Sequence, residues 1–214
     1  MKRLSSSLAA AAFVAAAVVA PSVSVAADTW QIDPAHSSAQ FSVTHLMIST
    51  VRGEFGAMSG TIEYDGKDVA SIKVNVTIDA TSISTRNEYR DKDLKSDHFF
   101  DVAKYPTLTF KSKKIVDGKD GAFQLVGDLT MHGVTKEVTL DATAPSKIIK
   151  GARGESRVGA SATTKLNRRD FGLNWSATVE GVGLVVSEGV SITIDIEAMF
   201  TPILAEPAAA PAKK

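Results

Sequence analysis

Apolar and polar side chains alternate with a period of two residues over much of the chain, which is the pattern of β-strands that bury one face. The most regular of these runs is residues 190–200, where every second position is apolar. Other runs of this kind occupy residues 41–45, 72–79, 108–111, 123–131, 134–142 and 158–166. Because helices need a period near 3.6 residues, the alternation predicts an all-β fold.

Short turn signals separate the predicted strands. They are the dipeptides Asp65-Gly66, Asp117-Gly118, His132-Gly133 and Glu188-Gly189. Turns of this kind join antiparallel neighbours. With residues 50–64 added, the sequence predicts about eight long strands, each with one polar face. Such strands form either a sandwich or a closed barrel, and a barrel leaves no unpaired edge exposed.

One highly charged segment breaks the period-two pattern and predicts a short helix over about residues 87–95. Thr85 and Glu88 have the spacing of a capping box, in which each side chain bonds the backbone amide of the other residue. The aromatic pair Phe99 and Phe100 follows the predicted helix. This pair predicts a hydrophobic plug at one end of the core, or a lid over a cavity.

The N-terminal segment has the order of a secretory signal peptide. Two basic residues precede an apolar run at residues 8–19, and small residues follow that run. The run is too short and too rich in alanine for a good transmembrane span. We therefore expect residues 1–27 to be a signal peptide that is cleaved after Ala26 or Ala27. This expectation places the protein in the periplasm or outside the cell.

The opposite end of the chain, residues 202–214, is rich in Ala and Pro and is predicted to be a disordered tail. Residues 28–201 then remain as one domain, which is large enough to be stable through its core alone. This matters because the chain has no cysteine, so it cannot rely on disulfides.

Composition excludes several classes of function. The 24 basic and 24 acidic residues balance, so we do not expect a nucleic-acid partner. The absence of cysteine excludes cysteine nucleophiles and cysteine-ligated metals. None of the four histidines lies two or four residues from another, so the sequence predicts no compact metal site. The Gly-x-Ser-x-Gly motif of many hydrolases is also absent, and we do not expect catalysis.

Short groups of residues, in a fixed order along the chain, resemble a known family. They are Trp30-Gln31-Ile32-Asp33, His36-Ser37, Phe41-Ser42-Val43, Arg90-Asp91, Phe99-Phe100, Tyr105-Pro106, Gly127-Asp128-Leu129-Thr130, Gly133-Val134-Thr135-Lys136 and Asp170-Phe171-Gly172. The ordered set resembles the YceI-like family of bacterial secreted proteins over about residues 28–201. One departure is Asp93, where the family often has a histidine.

The resemblance implies a fold and a ligand. The fold is a lipocalin-like extended barrel of eight antiparallel strands, with one short helix or lid segment. The interior tunnel of such a barrel is similar to those that hold a polyisoprenoid chain, such as a polyprenyl phosphate or an isoprenoid quinone. No enzymatic activity and no cofactor are implied.

The alternation assigns small residues to the inner face, which favours space for a slender chain. They are Ala39, Gly53, Ala57, Gly127, Ala160 and Ala162. An interior closed by tight strand packing is the alternative. The residues predicted to line the tunnel are Phe41, Val43, His45, Phe55, Phe99, Phe100, Phe110, Leu129, Ala160, Phe171 and Trp175.

Arginine residues are the candidates for contact with a ligand head group. Arginine binds phosphate oxygens with two nitrogens at once and keeps its charge at any periplasmic pH. We predict Arg52, Arg90 and Arg168 for this role. His45, on the apolar face of its strand, is either a buried hydrogen-bonded residue or a polar contact for the ligand.

The leading hypothesis is a periplasmic or secreted carrier that holds an isoprenoid lipid for transport, storage or stress protection. A stress or interaction module with a filled core and no lipid is the alternative. The third hypothesis is an enzyme that depends on His36 and His45. The expected partner is an isoprenoid lipid or quinone. Transient contact with a membrane or membrane protein and the formation of a homodimer are the other interactions that we consider.

Signal cleavage is directly testable. The exported chain should begin at Ala27 or Asp28, because small residues precede these positions. N-terminal sequencing and the intact mass of protein recovered from the periplasm measure this. A chain that keeps residues 1–26 and stays in the membrane fraction would contradict the prediction.

Overall fold

The computed structural model describes residues 27–117, 121–181 and 183–201. The strands are β1 (Asp28–Ile32), β2 (Ser38–His45), β3 (Ser49–Phe55), β4 (Met58–Tyr64), β5 (Lys73–Asp79), β6 (Ile83–Ser84), β7 (Thr107–Asp117), β8 (Phe123–Met131), β9 (Val134–Ala142), β10 (Ile149–Lys150), β11 (Ser156–Asn167), β12 (Thr178–Val179), β13 (Gly183–Leu184) and β14 (Gly189–Phe200). The single α-helix of these residues is α1 (Glu88–Lys95), and three short 3-10 helices occupy Val69–Ser71, Ala80–Ser82 and Arg168–Phe171. The predicted signal sequence up to residue 26, the turn at Gly118 and the tail from residue 202 lie outside the described residues.

The strands pair in chain order and close into a ring. Three of the long strands are interrupted and consist of two consecutive elements each. They are β1 with β2, β3 with β4, and β5 with β6. β14 pairs with β11 on one side and with β1 and β2 on the other. The result is a closed, antiparallel, 8-stranded barrel. The predicted fold class is therefore confirmed.

The alternation turns the apolar face of each strand toward the inside of the barrel. Across the β11–β14 pair, the small residues Ala160 and Ala162 lie opposite Ile196 and Ile194. Ala198 is the next residue of β14 on the same face, and it has no exposed surface. The large and small side chains of neighbouring strands thus face each other inside the ring.

Two of the small residues accommodate aromatic rings instead of leaving space. Phe41 lies directly opposite Gly53 in the β2–β3 pair, and its ring occupies the place of a Gly53 side chain. A Cβ atom at Gly127 would stand 2.5 Å from the ring of Phe110. Ala57 lies exposed in the link between β3 and β4, where the alternation is interrupted, so its predicted inward position is wrong.

The two ends of the barrel differ. At one end, which we call the tryptophan end, the ring of Trp30 lies 5.5 Å from that of Phe200 and 6.5 Å from that of Tyr64. The indole Nε1 donates a hydrogen bond of 3.1 Å to the Tyr64 carbonyl oxygen. The opposite end, which we call the helix end, carries α1, the β2–β3 turn and residues 168–188. Aromatic packing therefore closes the barrel at the tryptophan end.

The helix end begins with α1, close to the predicted bounds, but the cap differs from the prediction. Asn87 caps the helix, because its Oδ1 accepts a hydrogen bond of 3.0 Å from the Arg90 amide. Thr85 instead bonds to Asp91 Oδ1 through both its amide and its hydroxyl. Among the described residues, no helix is both long and apolar enough to cross a membrane.

A substitution at Gly127 tests the close packing against Phe110. Gly127→Ala should lower the free energy of unfolding by about 1–3 kcal/mol, because the added methyl group meets the Phe110 ring and the Lys111 carbonyl oxygen. Gly159→Ala is the matched control on β11, where the nearest atom would lie 3.5 Å from the new Cβ. Urea unfolding measures both variants. Equal stability of the two variants would contradict the prediction.

Candidate functional site

The barrel encloses an apolar cavity of about 450 Å³. Its lining includes Tyr64 and Phe123 from the tryptophan end, and His45 and Arg168 from the helix end. The cavity therefore runs along the barrel instead of lying at one point in it. Eight-stranded barrels are just wide enough to be filled by side chains or to hold one small ligand, and this interior has room for a ligand.

The volume sets a scale for the ligand. An apolar cavity of about 150 Å³ accepts a benzene-sized molecule, so about three such groups, or about 18 carbon atoms, would fit here. That amount corresponds to about three to four isoprene units. A longer chain would have to bend, displace side chains or extend out of the barrel.

The structure brings the predicted tunnel residues together around this cavity, with one exception. Those that border it are Phe41, Val43, His45, Phe55, Phe99, Phe100, Phe110, Leu129, Ala160 and Trp175. The exception is Phe171, which lies in a 3-10 turn after β11 and is only 2% exposed, packed in the core outside the cavity. Its predicted place in the tunnel is wrong because the alternation of β11 ends at Asn167.

Aromatic contacts hold the segment after α1 against the cavity. The ring of Phe99 lies 5.4 Å from that of Trp175, and the ring of Phe100 lies 5.6 Å from that of Phe55 in an edge-to-face arrangement. Both phenylalanines border the cavity. The segment is therefore part of the cavity wall at the helix end.

The three arginines predicted to contact a head group have different environments. Arg52 is exposed on the outside of β3, because its neighbours Val51 and Gly53 take the inner face. It does not border the cavity, so its predicted place is wrong. Arg90 borders the cavity, but its Nε donates to the Thr85 hydroxyl at 2.7 Å and its Nη2 donates to the Thr85 carbonyl at 3.0 Å.

Arg168 is the most buried of the three, with 4% of its surface exposed, and it borders the cavity. Its Nε donates to the Ser187 carbonyl oxygen at 3.1 Å, and its Nη1 donates to that of Leu173. Among the described residues, its Nη2 is buried and has no hydrogen-bond partner. Burial away from water lowers the pKa of Arg168, since desolvation disfavours the charged form.

Several cavity residues at the helix end were not predicted from the sequence. Asp93 of α1 and the pair Val185 and Val186 border the cavity. The two valines lie outside regular strands, so no alternation marks them, although Val186 forms an isolated bridge with His45. Residues such as Val74 and Ile192 also border the cavity, and the alternation does mark those.

A separate polar cluster lies on the outside of the barrel, where the break between β1 and β2 meets β14. Ligand-type atoms of Asp33, His36 and Glu197 lie within 4.8 Å of one another. Arg157 donates to both carboxylates of this group, at 3.0 Å for Asp33, and also donates to Glu155 at 3.0 Å. Because the Arg157 guanidinium already binds these carboxylates, the cluster is better explained as an ion-pair network than as a metal site. We call Arg157 with Asp33, Glu155 and Glu197 the Arg157 clasp.

The closed barrel and its enclosed apolar cavity define the class of protein. Small barrels of this architecture either are filled by side chains or hold one ligand in their interior, and a cavity of this size belongs to the second group. The described residues of the site are mostly apolar, and the charged ones, Arg90, Asp93 and Arg168, lie at the helix end.

Comparison with known proteins gives the family. The YceI-like domain family matches residues 30–198. A UPF0312 protein of Vibrio parahaemolyticus is 42% identical over 137 residues, which are 64% of this chain and 72% of that protein. The crystal structure of a Campylobacter jejuni YceI protein matches with a TM-score of 0.63 at 33% identity and covers 74% of this chain and 90% of that one. The chain therefore belongs to the YceI-like family, as its sequence indicated.

One further solved structure is informative about the fold. It is described as a polyisoprenoid-binding domain from Saccharophagus degradans that is implicated in plant cell wall breakdown. It matches with a TM-score of 0.60 at 18% identity and covers 80% of this chain and 98% of that one. At this identity the match shows a shared barrel.

The Arg157 clasp generates a prediction about acid stability. The pKa of Asp33 is lowered, first by its hydrogen bond with His36, then by the Ala35 amide and by Arg157. The pKa of Glu155 is lowered by main-chain and Arg157 hydrogen bonds. Carboxylates with lowered pKa values stabilise the fold above the ordinary carboxyl range, and this contribution is lost as the pH falls through the lowered values.

The melting temperature should therefore fall as the pH drops below about 4. Arg157→Met should melt at a lower temperature at neutral pH and show a shallower decline in acid, because its carboxylates have lost their common partner. Arg153→Met, at an exposed arginine nearby, is the control. Calorimetry between neutral pH and pH 3 measures the curves. Parallel curves for wild type and Arg157→Met would refute the role of the clasp.

Proposed function

We propose that the protein is a non-catalytic carrier that holds a polyisoprenoid, such as a polyprenyl phosphate or an isoprenoid quinone, inside its barrel. The observation that carries this proposal is the enclosed apolar cavity that runs from the tryptophan end to the helix end. An elongated apolar ligand matches that shape. The polyisoprenoid-binding description of the Saccharophagus degradans neighbour supports the same class of ligand.

Burial of the tail supplies the affinity. Each buried carbon contributes about 0.8 kcal/mol, so one isoprene unit contributes roughly 3–4 kcal/mol. Loss of translational freedom and ordering of a flexible chain offset several kcal/mol of this gain. A few buried isoprene units therefore suffice for tight binding, while the head group determines selectivity.

The ligand enters and leaves through the helix end in this proposal. The tryptophan end is closed by the packed, mutually tilted rings of Trp30, Tyr64 and Phe200. The helix end is walled by a loop segment and a short helix, which are easier to displace than paired strands. A tail longer than the cavity would extend there as well.

The proposed place of action is the periplasm or the exterior of the cell, and the support for it is the signal-type sequence of residues 1–27. A carrier in that place would exchange its lipid with a membrane or a membrane protein. Transport, storage and protection under stress all require the same property, which is retention of the lipid away from water.

Native mass spectrometry of protein purified from its own periplasm tests the proposal directly. We expect a mass above that of the polypeptide, and solvent extraction should identify the added component as a prenyl lipid. If the mass equals that of the bare polypeptide, a prenyl quinone or prenyl phosphate is added, and the melting temperature should rise. No bound lipid and no thermal shift would overturn the proposal.

Bulky substitutions inside the cavity should abolish lipid retention without unfolding the barrel. In Val43→Trp and Ala160→Trp, the indole fills volume that the tail needs, because both positions border the cavity. Thr163→Trp is the matched control, since Thr163 is exposed on the outside of β11. Copurified lipid per protein and the melting temperature are measured together. Wild-type lipid content in both cavity variants would contradict the binding site.

A further inference from the structure

The turn between β2 and β3 presents large apolar side chains to solvent at the helix end. It consists of Leu46, Met47 and Ile48. These residues follow the last pair of the two strands, in which His45 lies opposite Ser49. Met47 is 60% exposed and Ile48 is 83% exposed. Single exposed apolar residues are common, but two neighbours at the end of a hairpin form a projecting apolar feature. We call these three residues the apolar tip.

The backbone of the apolar tip is unfavourable for the residues that occupy it. The Ile48 amide donates a hydrogen bond of 3.1 Å to the His45 carbonyl oxygen, and φ is +50° at Leu46 and +60° at Met47. Two consecutive positive φ values are characteristic of a type I′ turn, which favours Asn, Asp and Gly at these positions. Side chains as large as Leu and Met cost stability there. Backbone strain and apolar exposure at one place indicate a function instead of a folding requirement.

Main-chain hydrogen bonds connect the apolar tip to the wall of the cavity. The Leu46 amide donates to the Val185 carbonyl oxygen at 2.8 Å, and the Val185 amide donates to the Ala177 carbonyl oxygen at 2.9 Å. Val185 and its neighbour Val186 both border the cavity. The hairpin of β12 and β13 follows Ala177 and carries another exposed apolar residue, Val179. The apolar tip therefore lies beside the end of the cavity through which the lipid passes in the proposed function.

The apolar tip has no charged neighbours close to it along the chain. Residues 41–51 contain no Asp, Glu, Lys or Arg, and the next residue, Arg52, is exposed on the outside of β3. Residues 86–95, which include α1, carry four basic and three acidic side chains, so their charges nearly cancel. The exposed Tyr89 of α1 is of a residue type that favours membrane interfaces. Insertion of the tip into an apolar phase therefore removes none of its own groups that carry charge from water.

A fluid lipid surface fits these properties better than a protein surface. A stable protein interface buries at least about 1,000 Å² with matched shapes, and a tip of three residues supplies only a small part of that area. A bilayer adapts to the shape of inserted apolar side chains and needs no preformed pocket. The ligand of the proposed function is itself a membrane lipid, so it has to pass between a bilayer and the helix end.

We propose that the apolar tip inserts into the outer part of a lipid bilayer and docks the helix end of the barrel on the membrane. The cavity wall at Val185 and Val186 then faces the bilayer. The long basic side chains of the helix end can keep their charges among the polar head groups while the tip is immersed. The docking surface rests on the proposed carrier function and deepens it, because it identifies where the barrel meets the membrane that supplies or receives the lipid.

Cosedimentation with phosphatidylcholine vesicles tests the docking surface. The exported chain without residues 1–27 is used, so that their apolar run does not contribute. The wild type should bind, and Ile48→Asp should lower the partition coefficient roughly 10- to 100-fold, because the burial of one isoleucine is lost. Binding of the wild type should depend little on salt, since the tip carries no charge.

Ile149→Asp is the matched control at the opposite end of the barrel. Ile149 is 60% exposed on β10, which pairs with the start of β11 at the tryptophan end. This variant should bind vesicles as the wild type does. Both variants should keep the wild-type melting temperature, because both positions are exposed.

Ile48→Trp and Ile149→Trp give a second readout that does not depend on loss of binding. With vesicles that contain brominated lipid, the fluorescence of Ile48→Trp should be quenched more strongly than that of Ile149→Trp, because bromine quenches indoles that lie within the bilayer. The native Trp30 and Trp175 are present in both variants, so their signal cancels in the comparison.

The outcomes separate the docking surface from the carrier function. A wild type that does not bind vesicles, equal binding by the two Asp variants, or equal quenching in the two Trp variants would overturn the docking surface. A dimer that Ile48→Asp dissociates, without vesicle binding, would assign the tip to a second copy of the chain and overturn it as well. Prenyl lipid retained in native mass spectra would leave the carrier function intact in each of these cases. Vesicle binding that depends on Ile48, in a protein that retains no prenyl lipid, would support the docking surface and overturn the carrier function.

Discussion

The pairing of β14 with β1 and β2 is the interaction on which the rest of the structure depends. Met199 and Ala198 of β14 lie opposite Gln31 and Ile32 of β1, and residues 191–195 of β14 lie opposite residues 38–42 of β2. Since the other long strands of the described residues pair with their neighbours in the chain, this contact joins the last strand to the first and closes the ring. Closure removes the sheet edges, and it turns one face of every strand into an interior.

Side chains alone can fill a closed interior, and the space that they leave here follows from the size of the facing residues. Alanines on β11 oppose isoleucines on β14, and aromatic rings from neighbouring strands lie over Gly53 and Gly127. Small residues therefore partly accommodate large neighbours, but space for a ligand remains along the axis. Charged side chains border the cavity only at the helix end among the described residues, on α1 and on the turn after β11. The strands thus form the apolar wall, and the elements of the helix end supply its charged groups.

This division explains how much of the molecule the sequence could predict. Alternation is a local property, so it predicts the strands and most of the cavity wall, but it leaves both a sandwich and a barrel open. The resemblance to the family is what favours the barrel. Alternation carries no information beyond the end of a strand, and for that reason it predicts neither the place of Phe171 nor the contact of Val185 with the cavity. Residue type alone favours Arg52, whereas the inward position of its neighbours places it on the outside of β3. The burial of Arg168 depends on Ser187 and on residues of the same turn, and no pattern in the sequence reveals such a contact.

The separation of strands and turns also bears on how the interior of such a barrel can change. Substitutions on the inner strand faces alter the length and width of the cavity, and they act through volume. Substitutions at the charged residues of the helix end, Arg90, Asp93 and Arg168, act through charge and hydrogen bonds. Because the two sets lie on different elements, their effects should be nearly additive. The volume and the polar contacts of the interior can therefore vary independently while the closure of β14 on β1 and β2 stays the same.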